Sequence, residues 1–427
     1  MSRRHLVVER RRTQGASDSA LLPFPGVMSP VWHRAGHSFD PGATGPLPPD
    51  AYSNAQVFTD ELQQLFAPSS GLVYLGHDLL LPESGYRRAD ADPRLLLTRD
   101  DEGVVRALAN LCTHACRPLV DDDTPVRRSW VACPFHDWSF RRDGSLVGGR
   151  NMDFGVGEVG DATRCRLALP SFSVLSWHGF HFAVDPARTD EYAADLARID
   201  ADFEERGIVS WLDLHDLVIV ASHDDHFRGD WKTFLEVYGD CYHVPPYHPG
   251  LASFVDCDSI EWTFGDNFHV QFLQLSAARG DRSPRYRQWI DGLDEYHALR
   301  GEPTPEMAVA WAAVYPNLMI EAYNGLRVVS VVVPVGPEQY VNRVHYCVPA
   351  DMERLVPGLP QIIRDAYDET VVEDRVLVES RFEGLQRAAS LGLDIDRYFP
   401  NVSGTALEAG VAHFHDWWSR RLHRTPG

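Results

Sequence analysis

Cysteine, positive charge and long apolar runs are all scarce in this chain of 427 residues. Seven cysteines, an odd number, do not suit the paired framework of a small secreted domain and point instead to a reducing compartment. Basic residues, 40 of them, are outnumbered by 61 acidic ones, and the formal charge of -21 repels polyanions, which argues against a nucleic-acid partner. No stretch approaches the roughly 18 to 20 continuous apolar residues that span a bilayer. The opening Met-Ser-Arg-Arg-His leads into polar sequence rather than an apolar signal core, so no membrane association and a cytoplasmic location are expected. A repeat at a fixed period is also missing. Apolar residues as a class are plentiful: 44% hydrophobic against 24% charged is the balance of a chain folded nearly throughout, with room for two or three domains.

Residues 1–50, rich in Arg, Pro, Gly and Ser, read as an irregular arm. From about residue 71 to 186, short apolar runs such as Leu72-Val73-Tyr74-Leu75 and Trp130-Val131-Ala132 alternate with Gly, Asp and Pro signals, the pattern of an all-β domain. Beyond Pro186 the character changes. Residues 191–205 read as a helix and 217–221 as a buried strand; the polar stretch 277–305 has the composition of an insertion or lid loop. A hairpin is expected from 314–323 and 326–334 around Asn324-Gly325, the favoured type I′ pair, followed by helices near 361–389 and 406–422. The expected division is 1–50, 51–186 and 187–427.

Two Cys-His pairs stand out. Cys112-Thr113-His114 is followed, after eighteen intervening residues, by Cys133-Pro134-Phe135-His136. Thiolates can bind one iron of a [2Fe–2S] unit and imidazoles the other, which raises the potential well above that of all-thiolate ferredoxins. Two Cys and two His also make a zinc set. Zinc fingers, however, group Cys with Cys and His with His, whereas here each loop contributes one of each. The pair of loops resembles the Rieske family, with Pro134 after the second Cys and Trp138 two positions past the last His. Ala115-Cys116 stands where that family usually has Arg-Gly, and Asp137 where it has Gly.

A second constellation follows Asp230, a plausible helix cap. On a helix running through to His243, residues Glu236, Asp240 and His243 would share one face. Val244-Pro245-Pro246 would end that helix and leave His248 free to fold back toward His243. Two His and one carboxylate hold Fe(II) in non-haem oxygenases. Helix geometry nominates the carboxylate: Ile363, Tyr367, Val371, Asp374 and Val378 form one inward stripe with Asp374 at its middle, while Glu373 falls off that line, where a solvated acid belongs.

The resemblance then widens. Glu-x3-Asp-x2-His-x4-His at residues 236–248, Val372-Glu373-Asp374 with Glu379 and Gly384-Leu385, residues 412–417 and Tyr315-Pro316-Asn317-Leu318-Met319 are similar to the large subunits of Rieske oxygenases, closest to the choline monooxygenase and phenylpropionate-dioxygenase-like branch. Phe382 replaces a Gln often found there. The resemblance implies an α+β chain: an all-β Rieske [2Fe–2S] domain plus a helix-grip catalytic domain with a curved antiparallel sheet. It implies a homotrimer in which the cluster of one subunit feeds the iron of the next, with Asp240 bridging His136 to His243. Electrons would come from NAD(P)H through a separate ferredoxin or flavin reductase, and dioxygen would be the co-substrate. Candidate cavity residues are Phe254, Phe272, Tyr315, Asn317, Met319, Glu321 and Tyr323, since rings with an acid suit a quaternary ammonium. Expected chemistry is hydroxylation or demethylation of a small aromatic or quaternary amine; the rivals are a cis-dihydroxylating ring dioxygenase and a cluster-only electron carrier.

Overall fold

The computed structural model describes residues 46–149, 161–393 and 406–422. The arm expected over residues 1–50 therefore lies almost wholly outside the described residues. Short strands dominate the first part. β1 (Leu72–His77), β10 (Phe180–Val184) and β9 (Val174–Trp177) make one sheet; β2 (Gly85–Arg88), β3 (Leu95–Arg99), β4 (Val105–Ala109) and β8 (Ser171–Phe172) a second; β5 (Trp130–Ala132), β6 (Ser139–Arg141) and β7 (Leu146–Gly148) a third.

The second part is one antiparallel sheet of seven strands in the order β11-β17-β16-β15-β14-β13-β12. Its strands are β11 (Leu217–Arg228), β12 (Val255–Phe264), β13 (Phe268–Leu275), β14 (Met307–Val314), β15 (Leu318–Tyr323), β16 (Leu326–Gly336) and β17 (Gln339–Pro349). Side chains alternate between two apolar layers because the strand period is two. Phe268, Val270, Phe272, Ala310, Ile320 and Val331 pack toward β1, β10 and the helix Thr189–Glu205. Leu273, Trp311, Tyr323, Val328 and Tyr346 face the helices Pro284–Arg300 and Leu359–Ser390. The second layer holds the cavity.

Several local expectations change. Polar stretch 277–305 is mostly the helix Pro284–Arg300, with Ser283 as its cap and Pro284 in its first turn; Tyr286, Trp289, Ile290, Leu293 and Tyr296 make its buried stripe, which the surrounding charges obscure in the sequence. Strand β11 is longer than residues 217–221 and alternates in exposure, because it is an edge of the sheet rather than an interior strand. Residues 314–323 are not continuous: β14 ends at Val314 and β15 starts at Leu318. The hairpin at Asn324-Gly325 forms, but only Gly325 takes positive φ, at 78°, so the turn is not type I′. Asn324 is instead held by its side chain, which lies 2.8 Å from His297 Nε2.

Residues 47–66 pack against the second part. Leu47, Tyr52, Val57 and Phe66 share a core with Trp231, Leu235, Phe414 and Trp418. Lys232, the chain's single lysine, is fully buried there, 2.7 Å from both Glu61 and Asp230, while the indoles of Trp231 and Trp418 donate to Glu61. A buried charge is tolerable only when so surrounded. Helix Trp231–Tyr238 is thereby fixed between the helix Ala55–Gln64 and the closing helix Ala409–Arg421.

Candidate metal centres

The two Cys-His loops have the same backbone plan. Cys112 N–H donates to Arg117 O and its carbonyl accepts from Cys116 N–H; Cys133 N–H donates to Trp138 O and its carbonyl accepts from Asp137 N–H, all within 2.7–3.1 Å. Both thiols are buried, and burial together with its neighbour Cys133 pushes the Cys112 thiol up. The imidazoles of His114 and His136 lie at the surface with ring centroids 4.7 Å apart, and Trp138 stacks on His114 at 4.8 Å. Thiols inside and imidazoles outside is a donor set that fits a two-iron cluster of the two-cysteine, two-histidine type. Cys116 and Asp137, standing where the family resemblance expects glycine, have φ of 55° and 56°. Each loop turns through the left-handed region at that position, which is why glycine belongs there.

A second group of ligand atoms converges between β11–β17 and the long helix. His243, His248 and Asp374 each offer an atom within 4.8 Å of the others. Asp374 Oδ1 is 3.0 Å from His248 Nε2 and 3.7 Å from His243 Nε2, close to the roughly 3 Å between neighbouring ligands when metal bonds are about 2.1 Å long. Buried His248 Nε2 has no hydrogen-bond partner, so a donor atom waits there for a cation. The other ring nitrogens face carboxylates: His248 Nδ1 lies 2.7 Å from Glu373 Oε2, and His243 Nδ1 3.2 Å from Asp240 Oδ2. Carboxylates in those positions fix the tautomer and aim Nε2 inward. Burial opposes a charge on His243, yet Asp240 and Asp374 outweigh it and lift the ring to about 9, the mark of a hollow that attracts positive charge.

The route to this geometry differs from the expected single helix. Trp231–Tyr238 ends at Gly239, and Asp240 and His243 sit in the turns beyond it, with Asp240 Oδ1 accepting from the Tyr242 and His243 amides. A short helical turn, Val244–Tyr247, then brings His248 back so that the two imidazoles lie 5.1 Å apart. Glu236 consequently does not share their face. It is buried elsewhere, accepting from Tyr52, Arg381 and His415, and although burial pushes it up, Arg381 and His415 hold it down at about 2. Glu373, read in the sequence as a solvated acid, is the partner of His248.

One cavity, roughly 790 Å³ including its mouth, opens on the triad. Of the seven expected lining residues, Glu321 and Tyr323 border it. The other five do not. Phe254 packs on Trp289, Phe272 faces the opposite side of the sheet against Phe203, Tyr315 bonds His269 and His413, Asn317 accepts from the Tyr74 amide, and Met319 is core. Sequence reasoning missed Trp311, Tyr367 and Asn342, which line the cavity from three separate elements. Glu321 accepts from Tyr367 at 2.6 Å and Tyr323 at 3.2 Å, and the Trp311 indole donates to the Tyr323 hydroxyl at 3.0 Å. Burial lifts this carboxyl to about 7 against the pull of the two tyrosines.

Residues 74–159 match the Rieske [2Fe-2S] domain, and residues 214–424 the ring hydroxylating alpha subunit (catalytic domain). Putrescine 2-hydroxylase of Ralstonia nicotianae is 32% identical over 88% of this chain and 94% of its own length. The carnitine monooxygenase oxygenase subunit of Escherichia coli is 25% identical over 87% and 92%. Among solved structures, a quaternary ammonium Rieske monooxygenase has the same fold at a TM-score of 0.68 and 19% identity, covering 90% of this chain and 97% of that one. A catalytic domain in addition to the cluster domain rules out a cluster-only electron carrier. This chain belongs to the Rieske non-haem iron oxygenases and is the terminal oxygenase component, with a [2Fe–2S] cluster and a mononuclear iron as its cofactors.

Proposed function

We propose that this oxygenase hydroxylates an organic ammonium compound whose positive nitrogen is held by Glu321. The observation that carries this reading is a buried carboxylate, framed by Trp311, Tyr323 and Tyr367, on the wall of the cavity that opens on His243, His248 and Asp374. Among the described residues no Arg, Lys or His forms an ion pair with it. A buried acid without a cation is costly, and a charged nitrogen among aromatic faces relieves that cost. Relatives named for putrescine, carnitine, choline and glycine betaine support the same class of compound. Naphthalene 1,2-dioxygenase has this fold too. A neutral hydrocarbon, however, would leave Glu321 unpaired, which disfavours the ring-dioxygenase reading here.

In this assignment Cys112 and Cys133 would hold one cluster iron and His114 and His136 the other, and His243, His248 and Asp374 would hold the mononuclear iron. Iron in that site would supply dioxygen activation for the overall reaction R–H + O2 + 2e⁻ + 2H⁺ → R–OH + H2O. The chain's own residues orient the reaction. Glu321 anchors the nitrogen, Glu373 and Asp240 keep both Nε2 atoms aimed inward, and the aromatic wall excludes water.

We infer that electrons cross between subunits of a homotrimer, from His136 of one to Asp240 and His243 of the next. Phe135, Trp130 and Leu111 are exposed beside the cluster, while Tyr242, Tyr247 and Val372 are exposed around Asp240. Two unlike apolar patches favour a head-to-tail contact, which closes into a ring. A separate NAD(P)H-fed ferredoxin or flavin reductase supplies the electrons. Seven free cysteines fit a cytoplasmic location, and among the described residues no helix is long and apolar enough to cross a membrane. The division into two units falls near Pro186, with residues 47–66 returning to the second.

The test is oxygen uptake with a surrogate NADH-dependent reductase over a panel of aliphatic amines, quaternary ammonium compounds and neutral aromatics. Amine-dependent uptake with one ¹⁸O atom in the product is expected; stimulation by neutral aromatics alone would overturn the reading.

A further inference from the structure

The cavity has a second polar pole, at Asn342. This side chain is 5% exposed, lines the cavity, and its Oδ1 is buried with no hydrogen-bond partner. An orphaned acceptor in a native interior is costly and calls for a donor that the protein itself does not provide.

Its place relative to Glu321 follows from the strand register. Glu321 on β15 faces Val328 on β16, which faces Tyr346 on β17, and Asn342 lies four residues from Tyr346 on the same face. At ~3.3 Å per residue and ~4.8 Å per strand, the two Cα atoms are roughly 16 Å apart along the sheet. The long helix spans the same interval from the other side. Tyr367 touches Glu321; seven residues on, or about 10 Å along the axis, comes Asp374. Arg375 then bonds Asp225, the residue paired with Asn342 across β11 and β17. The metal-binding triad therefore lies between the poles, toward the Asn342 end.

Resting on the ammonium reading above, we propose that Asn342 is a specificity-determining residue that accepts a hydrogen bond from a second donor on the substrate. The substrate class is thus a bifunctional aliphatic amine, an α,ω-diamine or an amino alcohol, stretched between Glu321 and Asn342 so that an internal C–H bond lies over the triad. Asp240 and Asp374 also line the cavity, and carboxylates there favour a donor-bearing or positive second terminus over a carboxylate. A quaternary nitrogen offers no N–H to either pole.

Calorimetric titration of the anaerobic holoenzyme with 1,4-diaminobutane, pentylamine and 5-aminopentanoate tests this directly, since the three differ at one end only. The diamine should bind at least about 10-fold more tightly than pentylamine, and Asn342→Leu should bring that ratio to within about 3-fold. Asn342→Asp should raise it. Ratios within one protein are insensitive to partial loss of folding, and iron content with the cluster's visible spectrum checks each variant. An unchanged ratio in Asn342→Leu, equal binding of pentylamine and the diamine, or tighter binding of 5-aminopentanoate overturns the second pole while leaving Glu321 as an ammonium anchor. If no amine binds, the ammonium reading falls and this proposal with it.

Discussion

Replacing Glu321 by Gln should make the protein more stable at alkaline pH while weakening its hold on a cation. Burial raises this carboxyl from its ordinary 4.5 to about 7. Below pH 4.5 the group is neutral whether the chain is folded or not. Between 4.5 and about 7 the unfolded chain has released the proton and the folded chain has not, so stability falls as pH rises; above 7 the whole penalty stands. That rise of the carboxyl corresponds to about 3 kcal/mol of folding free energy. Gln keeps the shape and an acceptor for one of the two tyrosine hydroxyls without the charge. Urea unfolding of chelator-treated protein, so that no metal charge acts through Asp374, should show Glu321→Gln stabilised by up to about 3 kcal/mol at pH 8 and by less than about 1 kcal/mol at pH 5. Ammonium affinity of the holo variant should fall about 30-fold or more, the loss of about 2 kcal/mol from a buried charge pair. A variant equally stable to wild type at pH 8, or less stable at both pH values, would refute the view of Glu321 as a carboxylate kept buried at a cost for its ligand.

Asp240→Asn should keep about three irons per chain and an unchanged cluster spectrum while lowering turnover about 100-fold, as expected when the partner of a metal-binding imidazole is lost; retained turnover would remove Asp240 from the electron route. Glu373→Leu should weaken iron retention at the mononuclear site about 10-fold without touching the cluster, measured by iron content after dialysis against chelator, and an unchanged retention would return Glu373 to the status of a surface acid. Cys116→Gly and Asp137→Gly should each stabilise the cluster loops by about 1 kcal/mol, because glycine tolerates the left-handed φ found there, and slower bleaching of the visible band on heating would report it.

Both sets of candidate metal-binding residues were legible in the sequence because each is local in a way that spacing can express. Cys112, His114, Cys133 and His136 occupy two short loops, and a loop of fixed length fixes where its ligands point. His243 and His248 are five residues apart around a proline turn. Asp374 announced itself through helix periodicity, a single acid in the stripe from Ile363 to Val378. The hairpin at Asn324-Gly325 and the long helix likewise follow from apolar runs and turn residues that act over a few positions, whereas the full antiparallel sheet was implied only by the family resemblance.

What tertiary structure alone decided concerns partners that are distant in sequence. Nothing near Glu373 indicates that a histidine 125 positions earlier will meet it, and nothing near Glu236 reveals that Gly239 ends the helix and turns the iron ligands away from it. Helix Pro284–Arg300 is stabilised by burying its rings against the long helix, a gain that its own polar composition conceals. The cavity wall is the sharpest case. A strand offers alternate residues to opposite faces, and the sequence shows that alternation without saying which face meets the iron; packing of β1, β10 and the helix Thr189–Glu205 on the other side settles it. Phe272 was thereby assigned to the core, and Glu321, Trp311 and Asn342 to the cavity.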